Sequence, residues 1–266
     1  MTDSGGHDYR IAVLDRTLDV IEALAAAAEP IGVSDLARAV GATKSATWRI
    51  LLNLEGRGYA SKDAAAKYTL GPALFALVLR GGDRTRLVQL ARPHLQWLNA
   101  TFEETANLGV MEGDALLYID IIESPHDLRM AARIGARDLL HTTALGRAII
   151  AFLPERERER LLAGPLEART PRTIVDPARL RQLLDDVRAG GISAEEGENE
   201  TAATCFGAPV FGPEGDVIAA ISLSGPSGRM ERYEPGTIQA ALRRAAEAVT
   251  LRVGGRWPGF DPAETG

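Results

Sequence analysis

Residues 42–54 read ATKSATWRILLNL, and this stretch decides the fold of the N-terminal region. Four of its side chains recur at i, i+3, i+4 and i+7 and therefore share one buried stripe of an α-helix: Thr47, Ile50, Leu51 and Leu54. Four others lie on the opposite side, near the start of the helix: Lys44, Ser45, Trp48 and Arg49. Thr43 precedes them, where a threonine side chain caps a helix N-terminus. The stretch predicts an amphipathic helix whose exposed face carries a tryptophan.

Two more helices are predicted before this one. The nearer helix is ended by Gly41, and a tight turn leads from it to the next N-cap. Its apolar positions are Leu36, Ala37 and Val40. A longer first helix stops before Pro30 and is expected to cover the other two. The side chains that it turns inward are predicted to be Leu14, Leu18, Ile21 and Ala25. The spacing of the second and third helices is typical of a helix-turn-helix.

A small hairpin is predicted directly after the third helix. The hydrophobic period changes to two after Gly58, so that Tyr59–Ser61 and Lys67–Leu70 read as short strands around a loop at Lys62–Ala66. A hairpin at this position is the wing of a winged helix.

Three helices and a wing in this order favour binding to the DNA major groove. Lysine or arginine on the third helix would meet guanine, and a small or aromatic side chain would meet a thymine methyl group, while lysines of the wing would touch phosphate. The predicted DNA-binding residues are Thr43, Lys44, Ser45, Ala46, Trp48, Arg49, Lys62 and Lys67. The alternative is a solvated helix face in a protein-interaction module.

Positive charge is local in this chain. Residues 10–71 contain eight basic and seven acidic residues, a charge of about +1, whereas the whole chain of 266 residues has a net charge of −6. We expect salt-sensitive nucleic-acid binding through a limited surface of the N-terminal region.

The composition argues against several other classes of protein. Cys205 is the single cysteine, so an internal disulfide and a thiolate zinc site are excluded. The four histidines are scattered at no ligand spacing, and no glycine-rich phosphate loop occurs, so no metal or nucleotide cofactor is predicted. The sequence has neither a membrane-spanning run nor an apolar signal segment near its start, and we expect a cytosolic protein.

The remaining chain predicts a second domain of the α+β class with a largely antiparallel sheet. A linker helix is predicted over 72–82, so that the domains are 10–71, 72–82 and 83–257. Strands are expected at 105–111, 116–122, 128–132, 202–211 and 216–224. Helices are expected at 83–102, with a bend at Pro93, and at 144–152, 154–163, 176–189 and 235–253. The two ends, 1–9 and 254–266, are expected to be tails.

Polar side chains at two places of this domain suggest a ligand site. Alternation along 216–224 places Ser222 and Ser224 on one face with Ile218 and Ala220, opposite Val217, Ala219, Ile221 and Leu223. Hydroxyls on a buried face need partners, which a ligand or the neighbouring backbone can supply. Thr142 and Thr143 can cap the helix that begins near Ala144, and such a helix end attracts a carboxylate.

Three segments resemble the IclR family of transcriptional regulators, and the resemblance covers both domains. They are residues 42–51 (ATKSATWRIL), residues 141–148 (HTTALGRA), and residues 205–210 (CFGAPV) together with 221–226 (ISLSGP). Family membership implies a winged helix-turn-helix joined by a linker helix to a GAF-like effector-binding domain, assembled as a homodimer or homotetramer on palindromic operators. Trp48 and Ala46 depart from the histidine and threonine frequent in the family, which affects the operator sequence and not the binding mode.

The resemblance also implies an effector pocket. Its positions correspond here to Met130, Ala144, Leu145, Glu195, Cys205, Ser222 and Ser224. A nucleophilic or redox role for Cys205 is disfavoured because no base accompanies it and because residues 204–210 read as a core strand.

The function predicted from these features is a sequence-specific transcriptional regulator, not an enzyme, whose operator binding is modulated by a small metabolite such as an organic acid. Ligand binding would change the spacing or stability of paired DNA-binding domains through the linker. The alternatives are a constitutive DNA-binding protein whose second domain only oligomerises, and an enzyme with an appended helical module.

Overall fold

The computed structural model describes residues 11–74, 83–130, 132–234 and 236–258. The chain divides into two compact units, residues 1–85 and residues 86–266. Within the described ranges, no helix combines the length and the apolar character that crossing a membrane requires.

The first unit is a winged helix-turn-helix. Its elements are α1 (Ala12–Ala26), β1 (Ile31–Gly32), α2 (Val33–Ala39), α3 (Lys44–Gly56), β2 (Ala60–Lys62) and β3 (Lys67–Leu70). Strand β3 lies between β1 and β2 and pairs with both in antiparallel register. The β2–β3 hairpin follows α3 directly, as predicted for the wing.

The core of this unit confirms the stripe predicted for α3. The buried residues of α3 are Thr47, Ile50, Leu51 and Leu54. The three apolar ones, Ile50, Leu51 and Leu54, pack with Leu36 of α2, Ala60 of β2 and Tyr68 of β3. Gly41 adopts a φ of +61°, a left-handed conformation that glycine adopts without strain, and so allows the tight turn between α2 and α3.

The stripe predicted for α1 was correct at Ile21, which packs against the core, and wrong at Leu14, Leu18 and Ala25, which are exposed. Val20 and Leu24 are its buried residues, whereas Leu14 and Leu18 are 53% and 49% exposed. Helix α1 carries apolar side chains on two stripes, and the sequence pattern alone does not say which of them faces the core.

The remaining elements form the second unit, except that the first of them begins three residues before the division at residue 86. They are α4 (Asp83–Phe102), β4 (Thr105–Glu112), β5 (Ala115–Ile122), β6 (Arg137–Leu139), α5 (Ala144–Ile150), α6 (Glu155–Leu162), α7 (Pro177–Gly190), β7 (Ser193–Glu196), β8 (Ala203–Phe211), β9 (Val217–Pro226), α8 (Ser227–Met230) and α9 (Thr237–Arg252). The strands form one antiparallel sheet in the order β6-β5-β4-β9-β8-β7. The predicted α+β class with an antiparallel sheet is therefore confirmed.

Apolar cores lie on both faces of this sheet. Helices α4 and α9 pack on one face, against Ala219, Ile221 and Leu223 of β9 among others. Helices α5 and α7 contribute to the core on the other face, which includes Tyr118 of β5 and Ala220 of β9. The alternation predicted for residues 219–224 is therefore correct.

The alternation fails at the start of β9. Val210 pairs with Ala219 and Phe211 pairs with Val217, so Ile218 is an extra residue at a β-bulge. An extra residue reverses the side-chain alternation on one side of a bulge. Val217 consequently packs with the α5 side of the sheet and Ile218 with the α4 side, opposite to the prediction.

The strand predicted at 128–132 was also wrong. The described residues of this segment have no strand conformation, and Leu128 is 72% exposed. The edge of β5 is instead occupied by β6, whose Arg137 and Leu139 pair with Leu117 and Ala115. Residues 123–136 are thereby left as a connection between two neighbouring antiparallel strands.

Three predictions concern the linker helix and the two chain ends. Residues 72–74 of the predicted linker helix are helical, and residues 75–82 lie outside the described residues, as do 1–10 and 259–266 of the two ends. The C-terminal segment is not a free tail throughout. The Trp257 ring packs edge-on against Phe211 with the ring centroids 5.8 Å apart.

Candidate functional site

The polar face of α3 is open to solvent. Lys44, Ser45, Trp48 and Arg49 are exposed, and the tryptophan exposes 47% of its surface. Over the described part of the chain, neither Lys44 nor Arg49 has an ion-pair partner. Two unpaired cations beside an exposed aromatic ring can bind an anionic, base-bearing partner.

The start of α3 is fixed by its N-cap. Thr43 Oγ1 accepts a hydrogen bond from the Ala46 backbone N–H at 3.3 Å and lies 3.3 Å from Ser45 Oγ. This bond satisfies one of the amide groups that a helix start leaves without an internal partner. Thr43 and the partly buried Ala46 therefore fix the N-terminal turn of α3, the turn that carries Lys44.

The wing carries two exposed lysines. The Lys62 ammonium group lies 5.6 Å from the centroid of the Tyr68 ring, a cation–π distance. Asp63 Oδ1 accepts hydrogen bonds from the backbone N–H groups of Ala65 and Lys67, both at 2.9 Å, which closes the loop between the strands. Lys62 and Lys67 are thus held on a short, hydrogen-bonded hairpin.

A cavity of about 200 Å³ lies in the second unit. All seven positions that the sequence resemblance implies for the effector line it: Met130, Ala144, Leu145, Glu195, Cys205, Ser222 and Ser224. They come from β7, β8, β9, the start of α5 and the connection before β6. That they contact a ligand stays a prediction.

Strand pairing brings the polar residues of the cavity together. Cys205 of β8 lies directly opposite Glu195 of β7 on one side and Ser224 of β9 on the other. One row along, Asn107 of β4 lies opposite Ser222. Five residues that span more than one hundred positions of sequence therefore form one patch of the sheet.

Asn107 is a cavity residue that sequence reasoning missed. Its Nδ2 atom donates hydrogen bonds to Ser222 Oγ at 3.1 Å and to Ser224 Oγ at 3.3 Å. Its Oδ1 atom has no hydrogen-bond partner among the described residues, although the side chain is only 3% exposed. A buried amide with a free terminal atom can bind a polar ligand. An asparagine inside the apolar run of β4 was the available signal.

Glu195 is buried and hydrogen-bonded. Its Oε2 atom accepts the backbone N–H groups of Glu198 at 2.9 Å and of Asn199 at 3.3 Å. Burial raises the pKa of its carboxyl group, and hydrogen bonds from the Cys205 thiol and from these two amides oppose the rise. The carboxyl group is therefore held in one orientation by the turn that follows β7.

That turn is anchored by an ion pair inside the protein. Arg147 of α5 is fully buried, and its guanidinium group forms a two-pronged contact with Glu198, with Nη1–Oε1 at 2.7 Å. It also donates to the carbonyl groups of His141 at 2.8 Å and of Ala194 at 3.0 Å. All the cationic nitrogens are satisfied, as a buried arginine requires.

Cys205 has a thiol suited to a cavity wall and not to nucleophilic chemistry. Burial raises its pKa well above the ordinary value, and the neighbouring Glu195 carboxylate raises it further. Reactive cysteines require a lowered pKa because the thiolate is the nucleophile. A protonated thiol contributes a weak hydrogen-bond donor to the cavity.

Two glycines allow α5 to begin against the sheet. A Cβ atom at Gly207 of β8 would lie 2.7 Å from the Ala144 carbonyl oxygen, and one at Gly146 would lie 2.1 Å from that of Leu140. Thr143 Oγ1 accepts the Gly146 backbone N–H at 3.1 Å and so caps the helix as predicted. Close backbone approach at these glycines therefore sets the position of Ala144 and Leu145 in the cavity wall.

Both units of the chain are similar to known proteins. The family model of the IclR helix-turn-helix domain matches residues 13–64, and that of the bacterial transcriptional regulator IclR C-terminal domain matches residues 82–251. Among curated relatives, the HTH-type transcriptional regulator BhcR of Paracoccus denitrificans (strain Pd 1222) is 33% identical over 251 residues, 94% of this chain and 88% of that protein. The HTH-type transcriptional regulator KdgR of Escherichia coli (strain K12) is 32% identical over 241 residues, 90% of this chain and 91% of that protein.

Solved structures give the same result. The Thermotoga maritima IclR structure matches with a TM-score of 0.73 at 25% identity, covering 92% of this chain and all of that chain. The structure of an IclR homolog of Microbacterium hydrocarbonoxydans in complex with 4-hydroxybenzoate matches with a TM-score of 0.71 at 28% identity, covering 91% of this chain and 98% of that chain.

Proposed function

Because the chain belongs to the IclR family of transcriptional regulators, we propose that it binds a specific operator through α3 and the wing and that a small metabolite in the cavity modulates this binding. It is a DNA-binding regulator and not an enzyme. We further propose that it works in the cytoplasm, where bacterial operators are accessible.

The observation that carries the DNA-binding part is the exposed polar face of α3. In helix-turn-helix proteins the N-terminal residues of the second helix reach base edges in the major groove. Lys44 and Arg49 supply cations with no ion-pair partner in the described chain, and the exposed Trp48 supplies an apolar surface for a thymine methyl group. Lys62 and Lys67 of the wing would contact phosphate and fix the orientation of the protein on the duplex.

The experiment is selection of duplexes from a random library by the full-length protein, followed by affinity measurements. Arg49→Ala is expected to weaken binding to the selected duplex by roughly 5- to 150-fold, equivalent to about 1–3 kcal/mol, and to relax base preference near its contact. Arg57→Ala is the matched control because Arg57 is also exposed but follows the C-terminal end of α3. Equal base preference of Arg49→Ala and the unmodified protein would refute the assignment of α3 as the reading helix.

The cavity supports the effector part of the proposal. It is several times larger than the roughly 30 Å³ that one water molecule occupies, and smaller than the roughly 300–1,000 Å³ of drug-sized sites. Asn107, Ser222 and Ser224 offer hydrogen bonds on its floor. Arg133 is a cation in its lining, which also contains the carboxyl groups of Asp138, Glu195 and Glu200. Asp138 is paired with Arg169, and Glu195 accepts two backbone amides, which leaves Arg133 as the lining group that attracts a carboxylate. We propose that it takes a small carboxylic acid that also carries polar groups. A related structure contains 4-hydroxybenzoate, which has this chemistry.

The effector test uses 4-hydroxybenzoate and a panel of small hydroxy and oxo acids as probes with the full chain. A ligand of the cavity should raise the thermal unfolding temperature, and it should change the affinity for the selected duplex. Ser222→Val should remove both effects, whereas the control Ser61→Val, in the wing strand β2, should keep the thermal shift. If the panel raises the unfolding temperature and leaves operator affinity unchanged, the alternative of a constitutive DNA-binding protein is favoured.

We propose a homodimer or homotetramer as the working form. A dimer of helix-turn-helix units reads two half-sites about one helical turn apart. Ile11, Leu14 and Leu18 of the first unit expose 60%, 53% and 49% of their surfaces and are spaced at i, i+3 and i+7, so they form one exposed apolar stripe that a second copy can cover. Native mass spectrometry of the free protein and of its duplex complex will give the number of copies.

A further inference from the structure

A surface groove lies between α1 and α3 in the first unit. Its volume is about 650 Å³. One wall consists of side chains one helical turn apart on α1, and the other of a stripe on α3. The lining residues that matter for its chemistry are Val13, Arg16 and Thr17 of α1 and Ala46, Arg49 and Asn53 of α3. We call it the α1–α3 groove.

The charge of this groove is positive. Two arginines line it and no acidic residue does. Neither guanidinium group forms an ion pair or hydrogen bond with a residue of the described ranges. The other polar side chains are already engaged, since Thr17 Oγ1 donates to the Val13 carbonyl at 2.7 Å and Asn53 Nδ2 donates to the Arg49 carbonyl at 2.8 Å. The available cationic donors of the groove are therefore its two guanidinium groups, beside the second N–H of the Asn53 amide.

The groove lies beside the face that reads DNA under the proposed function. Arg49 belongs to both surfaces, because the stripe of Ala46, Arg49 and Asn53 is adjacent to the stripe of Ser45 and Trp48 on the same helix. When a recognition helix enters the major groove, a phosphate backbone runs along each side of it. If α3 docks in this way, the α1–α3 groove, which adjoins α3, faces one of these backbones.

We propose that the α1–α3 groove binds the sugar–phosphate backbone of the operator and that Arg16 of α1 contacts a phosphate there. This inference rests on the proposed DNA-binding function and extends the interface beyond α3 and the wing to the first helix. A phosphate contact strengthens binding to every sequence equally. Arg16 therefore contributes affinity and orientation, whereas Arg49 contributes base preference.

The test compares Arg16→Ala, Arg16→Lys and the control Arg57→Ala in the full-length protein. Each is titrated with the selected duplex and with a scrambled duplex of equal length, between about 50 and 200 mM salt. Loss of one phosphate contact lowers the slope of log K against log[salt] by about 0.9 for duplex DNA. We expect this decrease for Arg16→Ala, with equal fold losses on both duplexes. Arg16→Lys keeps the charge and should retain most of the slope, and Arg57→Ala should be unchanged.

The outcomes separate this inference from the proposed function. If the unmodified protein binds its selected duplex and Arg16→Ala has the salt slope of Arg57→Ala, the phosphate contact is refuted while DNA binding stands. If Arg16→Ala instead changes only the number of copies in native mass spectrometry, the groove binds a second copy of the chain and the proposal is wrong. Failure of the unmodified protein to select any duplex would refute both. Circular dichroism of each variant verifies folding, which substitution of an exposed arginine should not alter.

Discussion

Helices α3 and α5 have the same kind of N-cap but lie in opposite environments, one partly open to solvent and the other buried. Each follows a threonine N-cap whose hydroxyl accepts the amide three residues on, Thr43 from Ala46 at 3.3 Å and Thr143 from Gly146 at 3.1 Å. Helix α3 then exposes a cationic face to solvent, whereas every residue of α5 is buried.

The two helices differ in the partners of their cationic side chains. The exposed cations Lys44 and Arg49 have no ion-pair partner in the described chain and are available to a partner molecule, while the single cation of α5, Arg147, is fully committed to groups inside the protein. Substitutions on the exposed face of α3 should therefore change DNA binding with little effect on stability. Substitutions of Arg147 or of its partners should lower the free energy of unfolding.

The largest effect is expected from Arg147→Met. Removing the guanidinium group leaves Glu198 buried without its cation, which typically costs about 3–5 kcal/mol. The measurement is urea unfolding of the full chain, monitored by circular dichroism. The double variant Arg147→Met with Glu198→Gln leaves no bare charge and should be less destabilised than Arg147→Met alone. A loss below about 1 kcal/mol for Arg147→Met would mean that the pair does not anchor the turn after β7.

A smaller effect is expected from Glu195→Gln on the reactivity of the Cys205 thiol in the cavity wall. Glu195→Gln removes the carboxylate that raises the pKa of Cys205, so more thiolate forms at a given pH. Alkylation by iodoacetamide at about pH 8.5, near the ordinary thiol pKa, should therefore be faster than in the unmodified protein. Cys205 is the only cysteine, so the total label reports this site.

Glu196→Gln is the matched control for the thiol experiment. Glu196 is adjacent in sequence but exposed, and its side chain leaves the opposite face of β7. The alkylation rate of this variant should equal that of the unmodified protein. Equal acceleration in both variants would mean that net charge, and not the Glu195–Cys205 pairing, sets the thiol pKa.

The contrast between α3 and α5 also explains what the sequence could predict. Helix α3 is amphipathic, so period and capping located its core side and its polar face to the residue. The start of α5 was predicted from Thr143, but the helix has no polar face, and nothing local in the sequence connects Arg147 to Glu198, fifty-one positions away. Buried ion pairs between distant segments follow from tertiary packing alone.

The cavity depends on register and close approach, which periodicity does not give. Cys205, Glu195 and Ser224 meet because β7, β8 and β9 pair in one register, and the four-residue strand β7 was not predicted. The family resemblance supplied the cavity residues that the local pattern could not. The resemblance did not supply Asn107. The amide nitrogen of Asn107 bonds to two serines of the neighbouring strand β9, and its Oδ1 atom has no partner among the described residues, which follows only from the pairing of β4 with β9.

The two N-caps offer a direct test of the comparison. Thr143→Ala should destabilise its helix more than Thr43→Ala, because Thr143 is 5% exposed and also donates to the Leu139 carbonyl, whereas water can replace the exposed Thr43. N-cap losses are about 0.5–2 kcal/mol. The measurement is hydrogen exchange of the full chain, read by mass spectrometry. Thr143→Ala should accelerate exchange in residues 144–150, and Thr43→Ala should accelerate exchange in residues 44–56 by a smaller factor. Equal changes would contradict the role given to burial.

The smallest effect is expected from an ion pair in the first unit. Arg38 Nη1 lies 3.0 Å from Asp35 Oδ1, but the side chains are 79% and 62% exposed. Exposed pairs contribute about 0–1 kcal/mol because water screens both charges, so Arg38→Met should change the free energy of unfolding by less than about 0.5 kcal/mol. The same urea experiment then compares one arginine-to-methionine change on the surface with another in the interior. A loss at Arg38 as large as that at Arg147 would mean that burial does not separate the two pairs, and the contrast drawn from α3 and α5 would not hold.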